Sequence, residues 1–397
     1  MDQNLKKKLK RNIKLNYLNT FITNLNMQSC IWMLYLAYCG LNLTEIGIIE
    51  GMYHATSIVF EIPSGALADL LGRKKSMILS KFCIAISCMI MLFSKNFWLF
   101  MLSFIIQALG NNLNSGSEEA LIYDSMKYID QEQNYIGVSG RLNIIVEIAQ
   151  GIATVLGGIL AEYSYFFCYS ACLCIAGLAF FPVLLMKEAP YSSENTKKKQ
   201  ASFLKMTKHH FLTCYHILKS DQRILQIITY YSVIFASYTL LFFYSQQYYS
   251  NLNYNKIQIS IIFLLNGIIS CFGAAISEKL FQKYGKNLAF LAGLIMIFIF
   301  FLYGSGHIVI SIIAFMIAGF CDSVLYPIQT ESLNQLIPSE QRATLISVDS
   351  MFFSIVMIII FPIAGKIADF LGLVSMFPII GTILLLFIIG WNLWNRK

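Results

Sequence analysis

Charge is what this sequence has least of. Only 13% of its 397 residues are Asp, Glu, Lys or Arg, where a soluble domain carries about 25%. So few charged side chains cannot cover a water-facing surface, and 57% of the chain is hydrophobic, with a mean hydropathy of +0.63. A water-soluble helical protein with a large core is excluded on that ground. The chain also contains no HExxH, GxSxG or GxxxxGK[ST] pattern, which argues against zinc-hydrolase, serine-hydrolase and phosphate-loop chemistry and against ATP as a direct driving force. The ten cysteines are scattered. Cys168, Cys172 and Cys174 form the one cluster and lack a partner set of metal ligands, so helix packing is their expected role. His209, His210 and His216 similarly lack a completing carboxylate or thiolate. No metal and no cofactor are expected. No cleavable leader is expected either, because the basic start runs into a full span without a small-residue cleavage site. Neither the termini nor the middle of the chain offers room for a soluble signalling domain, which argues against a sensor.

What is abundant is long apolar segments. They lie near 16–39, 44–69, 76–95, 98–126, 134–161 and 163–186, and, after a polar interval, near 224–249, 257–282, 287–304, 308–334, 341–370 and 373–394. Each reaches or approaches the roughly 20 residues that cross a bilayer as a helix. Backbone amides cannot stay unpaired in lipid, and runs this long are not the short alternating strands of a barrel, so the spans are expected to be helical. Six segments, an interval and six more predict an all-α membrane protein of two pseudo-symmetric six-helix bundles. The expected organisation is residues 1–186 as the first bundle, 187–222 as a linker and 223–397 as the second bundle. Within the linker Leu204, Phe211, Leu212, Tyr215 and Leu218 recur at helical spacing, which predicts a helix lying at the membrane surface. Trp98, Trp391 and Trp394 fall near span ends, where an amphipathic ring prefers the headgroup level.

Basic residues set the orientation. Lys6, Lys7, Lys8, Lys10, Arg11 and Lys14, then Arg73 to Lys75, the lysines of the middle interval, Lys279, Lys283 and Lys286, and finally Arg396 and Lys397 all fall on one side if both termini are cytoplasmic. The net charge of +8 is therefore read as topology and as attraction to anionic lipid, not as nucleic-acid binding.

The break after the second span reads Gly65-Ala-Leu-Ala-Asp69-Leu-Leu-Gly72-Arg73-Lys74-Lys75. Gly65 allows a close helix approach and Gly72 a tight turn, with a carboxylate at Asp69 and a basic cluster behind it. This stretch resembles the signature between helices 2 and 3 of the major facilitator superfamily. Glu61-Ile-Pro63-Ser-Gly65, Ser115-Gly116-Ser-Glu118-Glu119 and Leu333-Asn-Gln-Leu-Ile-Pro338 with Arg342 and Thr344 resemble its drug-exporter-like branch. The resemblance implies a twelve-helix transporter in which Asp69 and Arg73, with Gly65 and Gly72, form a conformational latch. Two echoes follow: Gln282-Lys-Tyr-Gly285-Lys286, and Gly365-Lys-Ile-Ala-Asp369-Phe-Leu-Gly372 at the opposite face. The chain departs from the proton-driven exporters at Gln107, where an arginine is usual. It departs again on the fifth span, where Ala149, Ala153 and Thr154 stand in a glycine- and proline-rich motif of which Gly140, Gly157 and Gly158 remain.

A charged side chain at mid-membrane costs roughly 2.5–3.5 kcal/mol, so ionisable groups there imply pairing or use. Glu50, His54, Ser57 and Glu61 share one face of the second span, and Gln107, Asn111, Ser115 and Glu118 one face of the fourth. Arg141, Glu147, Asp322 and Asp349 add further charges. Proton exchange is expected at Glu61, Glu118 or Glu147, with Arg141 as counter-charge and Glu50, His54, Asp322 and Asp349 as further candidates. Asn24 and Gln28 on the first span, Asn111, Tyr238 and Phe242 are expected to line a substrate cavity, where aromatic faces suit lipophilic cations. The leading expectation is a monomeric secondary transporter of the cell membrane that exports small amphipathic or cationic compounds in exchange for H+. The alternative is uptake or release of a sugar, organic anion or peptide.

Overall fold

A computed structural model describes residues 3–190, 219, 221–285, 287–336 and 342–395. The described residues form helices and turns without a strand. The helices are α1 (Gln3–Asn24), α2 (Trp32–Tyr38), α3 (Leu43–Leu71), α4 (Arg73–Phe93), α5 (Phe97–Tyr128), α6 (Tyr135–Tyr163), α7 (Tyr165–Leu178) and α8 (Phe180–Leu185). After the linker come α9 (Gln222–Asn251), α10 (Lys256–Tyr284), α11 (Asn287–Tyr303), α12 (Ile308–Asn334), α13 (Arg342–Leu371) and α14 (Leu373–Asn395). Every expected span coincides with one helix or with a pair.

Two pairs correct the expectation of continuous helices. The first span is broken, since α1 stops at Asn24 and residues 25–31 turn before α2 begins. Asn24 and Gln28 therefore do not share a helix face. Asn24 and Asn26 flank the break, and asparagine side chains compete with helical backbone bonding. The turn packs so closely on α6 that a Cβ at Gly157 would overlap the carbonyl of Met27. The sixth span divides at Ala179 into α7 and α8.

Local sequence explains several helix starts. Asn96, Ser164 and Asp221 accept hydrogen bonds from the backbone of Trp98, Phe166 and Arg223, and Asn255 with Gln258 completes a reciprocal cap on α10. Each such cap stabilises by about 1 kcal/mol. By length and composition eight helices among the described residues can cross a bilayer. α3 and α5 are not among them, and they carry the acidic residues Glu50, Glu61, Glu118 and Glu119. Outward-facing Val59, Phe93, Phe166, Phe272, Phe298 and Ile359 are well exposed, the pattern of helices whose outer surface meets hydrocarbon.

The chain divides into two compact units, residues 1–29 with 55–209 and residues 30–54 with 210–397. In the first, α4 lies along α5 and against α7, while α1 packs on α5, α6, α7 and α8. In the second, α10 lies along α12, α11 along α14 and α9 along α13, with α2 against α9. Residues 30–54 group with the second unit, unlike the expected boundary at 186. The packing there is close, since a Cβ at Gly47 would sit 2.6 Å from the Phe361 carbonyl. The linker's first residues also differ from a free segment. Lys187 exchanges two backbone hydrogen bonds with the Asn12 amide at 2.6 and 3.0 Å, and Ala189 is buried. The expected surface helix with Leu204 to Leu218, and His209, His210 and His216, lies outside the described residues.

Candidate functional site

In the first unit the turn after α1, the middle of α4, the middle of α5 and α7 enclose a cavity of about 180 Å³. Gln28, Lys81, Gln107, Asn111, Asn114 and Ser115 form its polar side, and Ile84, Cys172, Ile175 and Ala176 its apolar side. The Lys81 ammonium, in a residue only 2% exposed, donates to Thr23 Oγ1 at 2.9 Å and Asn114 Oδ1 at 3.2 Å. The amide of Asn114 in turn donates to Glu118 Oε2 at 2.6 Å. The other Glu118 oxygen accepts from Asn19 Nδ2 at 3.0 Å and Thr20 Oγ1 at 2.9 Å. A buried charge needs pairing and hydrogen bonds, and here an ammonium and a carboxylate share one amide between them. Two acceptors are left over: Asn19 Oδ1 in the network and Gln28 Oε1 on the cavity lining are buried and have no hydrogen-bond partner.

Of the expected cavity residues, Gln28 and Asn111 line this space. Asn24 does not; it donates to the Thr20 carbonyl at 2.8 Å and accepts from Gln150 at 3.4 Å. Lys81 was missed by sequence reasoning, although it is the one basic residue in the apolar run 76–94. Its place soon after the basic cluster hid a signal that was present.

The stripe on α3 divides. Glu50 and His54, both buried, pair at 3.5 Å in the second unit, where the other ring nitrogen of His54 lies 3.2 Å from Ser354 Oγ. Ser57 instead donates to Asn112 Oδ1 at 3.0 Å in the first unit. Glu61 is half-buried and Glu147 exposed. Arg141 lines a separate cavity with Lys10 and Lys14.

In the second unit Tyr238 donates to Asn266 Oδ1 at 2.7 Å, and Asn266 donates to the Phe315 carbonyl at 2.7 Å. Phe242 packs edge-on against Phe263, with centroids 4.6 Å apart, in an aromatic cluster with Phe243 and Phe315. Asp349 accepts from Gln329 at 2.7 Å. Asp322 is half-buried on α12 and has no hydrogen-bond partner among the described residues.

At the α3–α4 turn Arg73 pairs with Asp69 at 2.8 Å across Gly72, whose φ of +97° suits glycine. A Cβ at Gly72 would meet the Glu188 carboxylate at 2.7 Å, and Glu188 also accepts from the Lys74 amide at 3.2 Å. Glu188 is a second residue that sequence reasoning overlooked. Gly65 corrects an expectation, since a Cβ there would meet nothing within 4 Å and no close helix approach requires it. The side chains of Arg342 and Thr344, and Lys286, lie outside the described residues.

A two-unit, all-helical membrane protein with a polar cavity buried among its helices belongs to the class of multi-pass small-molecule transporters. Residues 15–304 match the family model of the Major Facilitator Superfamily. The chain is 26% identical over 372 residues to the uncharacterized MFS-type transporter YxaM of Bacillus subtilis, covering 92% of this chain and 91% of that one. It is 25% identical over 256 residues to the tetracycline resistance protein, class H, of Pasteurella multocida, covering 62% and 59%. The crystal structure of the nucleoside transporter NupG superposes over 100% of both chains with a TM-score of 0.75 at 13% identity, which shows the fold. The chain belongs to the major facilitator superfamily.

Proposed function

We propose that this transporter exports small amphipathic compounds carrying hydrogen-bond donors, in exchange for protons, by alternating access in the cell membrane with both termini cytoplasmic. The observation that carries this reading is the cavity of the first unit. It combines apolar lining from α7 with an orphan acceptor at Gln28 and a network that leads to the Glu118 carboxylate. A molecule with a ring on one side and an amine or hydroxyl on the other matches both. Glu118 is the acid we assign to proton exchange, because its carboxylate accepts from the amide of the cavity residue Asn114. A cationic substrate group placed beside Glu118 favours the ionised carboxylate, so substrate and proton compete for the site as exchange requires. The resistance role named for the Pasteurella relative supports export.

A second reading rests on Lys81. Its ammonium has three hydrogens and two protein acceptors, so the third can bind an organic anion. Purified protein in liposomes with an imposed pH gradient separates the two. Gradient-driven exchange of a cationic dye, reduced at least about tenfold in Glu118→Gln, is the expected outcome. Selective anion flux abolished by Lys81→Gln supports the second reading. Flux indifferent to the gradient and to an uncoupler removes proton coupling from both.

A further inference from the structure

A second cavity of the first unit, about 500 Å³, opens between α1, the end of α5 and the start of α6. Its lining contains Lys10, Lys14 and Arg141 and no carboxylate. Lys10 and Lys14 stand one helical turn apart, so like charges face the same space without an internal counter-ion. The nearby acids are otherwise placed: Asp130 pairs with Lys6 at 3.4 Å, Asp69 with Arg73 at 2.8 Å, and Glu132 is exposed outside the lining. Tyr17 lines the same cavity, and its hydroxyl is buried without a hydrogen-bond partner. An orphan hydroxyl beside uncompensated cations calls for an occupant rich in acceptor oxygens. Met126 and Val138, which belong to the buried apolar cluster of this unit, form the floor.

We infer that this cavity is an oxyanion site for a phosphate-type group, supplied by an anionic lipid headgroup or by free phosphate and held by Lys14, Arg141 and the Tyr17 hydroxyl. Arg141 presents a planar fork suited to two phosphate oxygens, Lys14 a mobile point charge, and Tyr17 a neutral donor. The site lies where the basic amino-terminal segment meets the α5–α6 turn, and α1 supplies four of its residues. Loading it would tie α1 to α6 through the ligand, where the protein itself places only like charges.

The test measures binding, independently of transport. The full chain is examined by native mass spectrometry and thermal unfolding in phosphatidylcholine nanodiscs with and without phosphatidylglycerol, and in detergent with inorganic phosphate. Retained phosphatidylglycerol with a raised melting temperature identifies a lipid as the source. The same shift with inorganic phosphate alone identifies free phosphate. In either case Lys14→Gln with Arg141→Gln should weaken binding about tenfold or more, while Lys7→Gln with Lys8→Gln, which removes equal charge outside the cavity, should leave it within twofold. Should the double variant fail to fold, Tyr17→Phe reports on the same site and should weaken binding severalfold. Neither ligand shifting the wild type, or equal losses in the cavity and control variants, overturns the site.

Discussion

Two helix ends in this molecule share one spacing and differ in what they do with it. Gly65, Asp69 and Gly72 close α3, and Gly365, Asp369 and Gly372 close α13. The last glycine of each takes a positive φ, +97° and +82°, so both helices end in the same kind of turn. The other two positions part company. A Cβ at Gly65 would meet open space, whereas one at Gly365 would overlap the carbonyl of Leu43. Asp69 pairs with Arg73 one turn away. Asp369 instead accepts from the backbone amides of Leu43 at 3.0 Å and Thr44 at 2.8 Å and from the Thr44 hydroxyl, capping the start of α3. Spacing specifies the turn; the partner decides whether the glycine is required and whether the carboxylate caps a helix or holds a cation.

Substitutions can break this comparison. The largest effect is expected at Gly365→Val, because the carbonyl it would strike is backbone and cannot rotate away. A loss of about 3 kcal/mol or more is expected, read as a large fall in thermal stability by fluorescence-detected size-exclusion chromatography. Gly65→Ala should stay within about 0.5 kcal/mol of the parent. Equal losses at the two positions would erase the distinction. Asp369→Ala should cost about 1–2 kcal/mol through the lost cap and its charge at a helix start, and Asp369→Asn should recover part of that in the same assay.

Asp69→Asn should change stability by no more than about 0.5 kcal/mol, the worth of an exposed pair one turn apart. Its expected effect is on transport, which should fall severalfold at equal membrane abundance if Asp69 and Arg73 act as the latch that the family signature implies. Unchanged transport would leave the pair a turn element and nothing more. The smallest effect is expected at Asp221, the cap of α9. The Arg223 guanidinium, 2.6 Å away, and the Arg223 amide hold its carboxyl below the usual carboxylate range. Because the folded value is depressed, the stabilisation is present above the unfolded value, roughly pH 4, and fades as pH falls through the folded one. Asp221→Asn should therefore flatten slightly the acid limb of a melting-temperature profile.

Much of the architecture was legible in the residues. Apolar runs of bilayer length marked where the long helices fall, and the positive-φ turn at Gly72 followed from a glycine flanked by Asp69 and Arg73. The polar face of α5 was read correctly as a group, since Gln107, Asn111 and Ser115 line one cavity and Glu118 joins it through Asn114. On α3, Glu50 and His54 of the expected stripe pair one turn apart, while Ser57 meets Asn112 of another helix; periodicity gives direction along a helix and not the neighbour waiting there. Asn24 and Gln28 failed for a related reason: a one-residue register assumes an unbroken helix, and the turn at 25–31 voids it. Lys81 and Glu188 were readable as charges but carried no partner in sequence.

The sequence by itself determined the solvent, the class of secondary structure and the turn chemistry, because each depends on composition or on residues within a helical turn of one another. Only the tertiary structure decided which buried polar groups meet. The bonds from Lys81 to Thr23 and from Glu118 to Asn19 join residues 58 and 99 positions apart. Contacts at that separation are fixed by how helices cross and pack, and packing depends on every side chain along the seam.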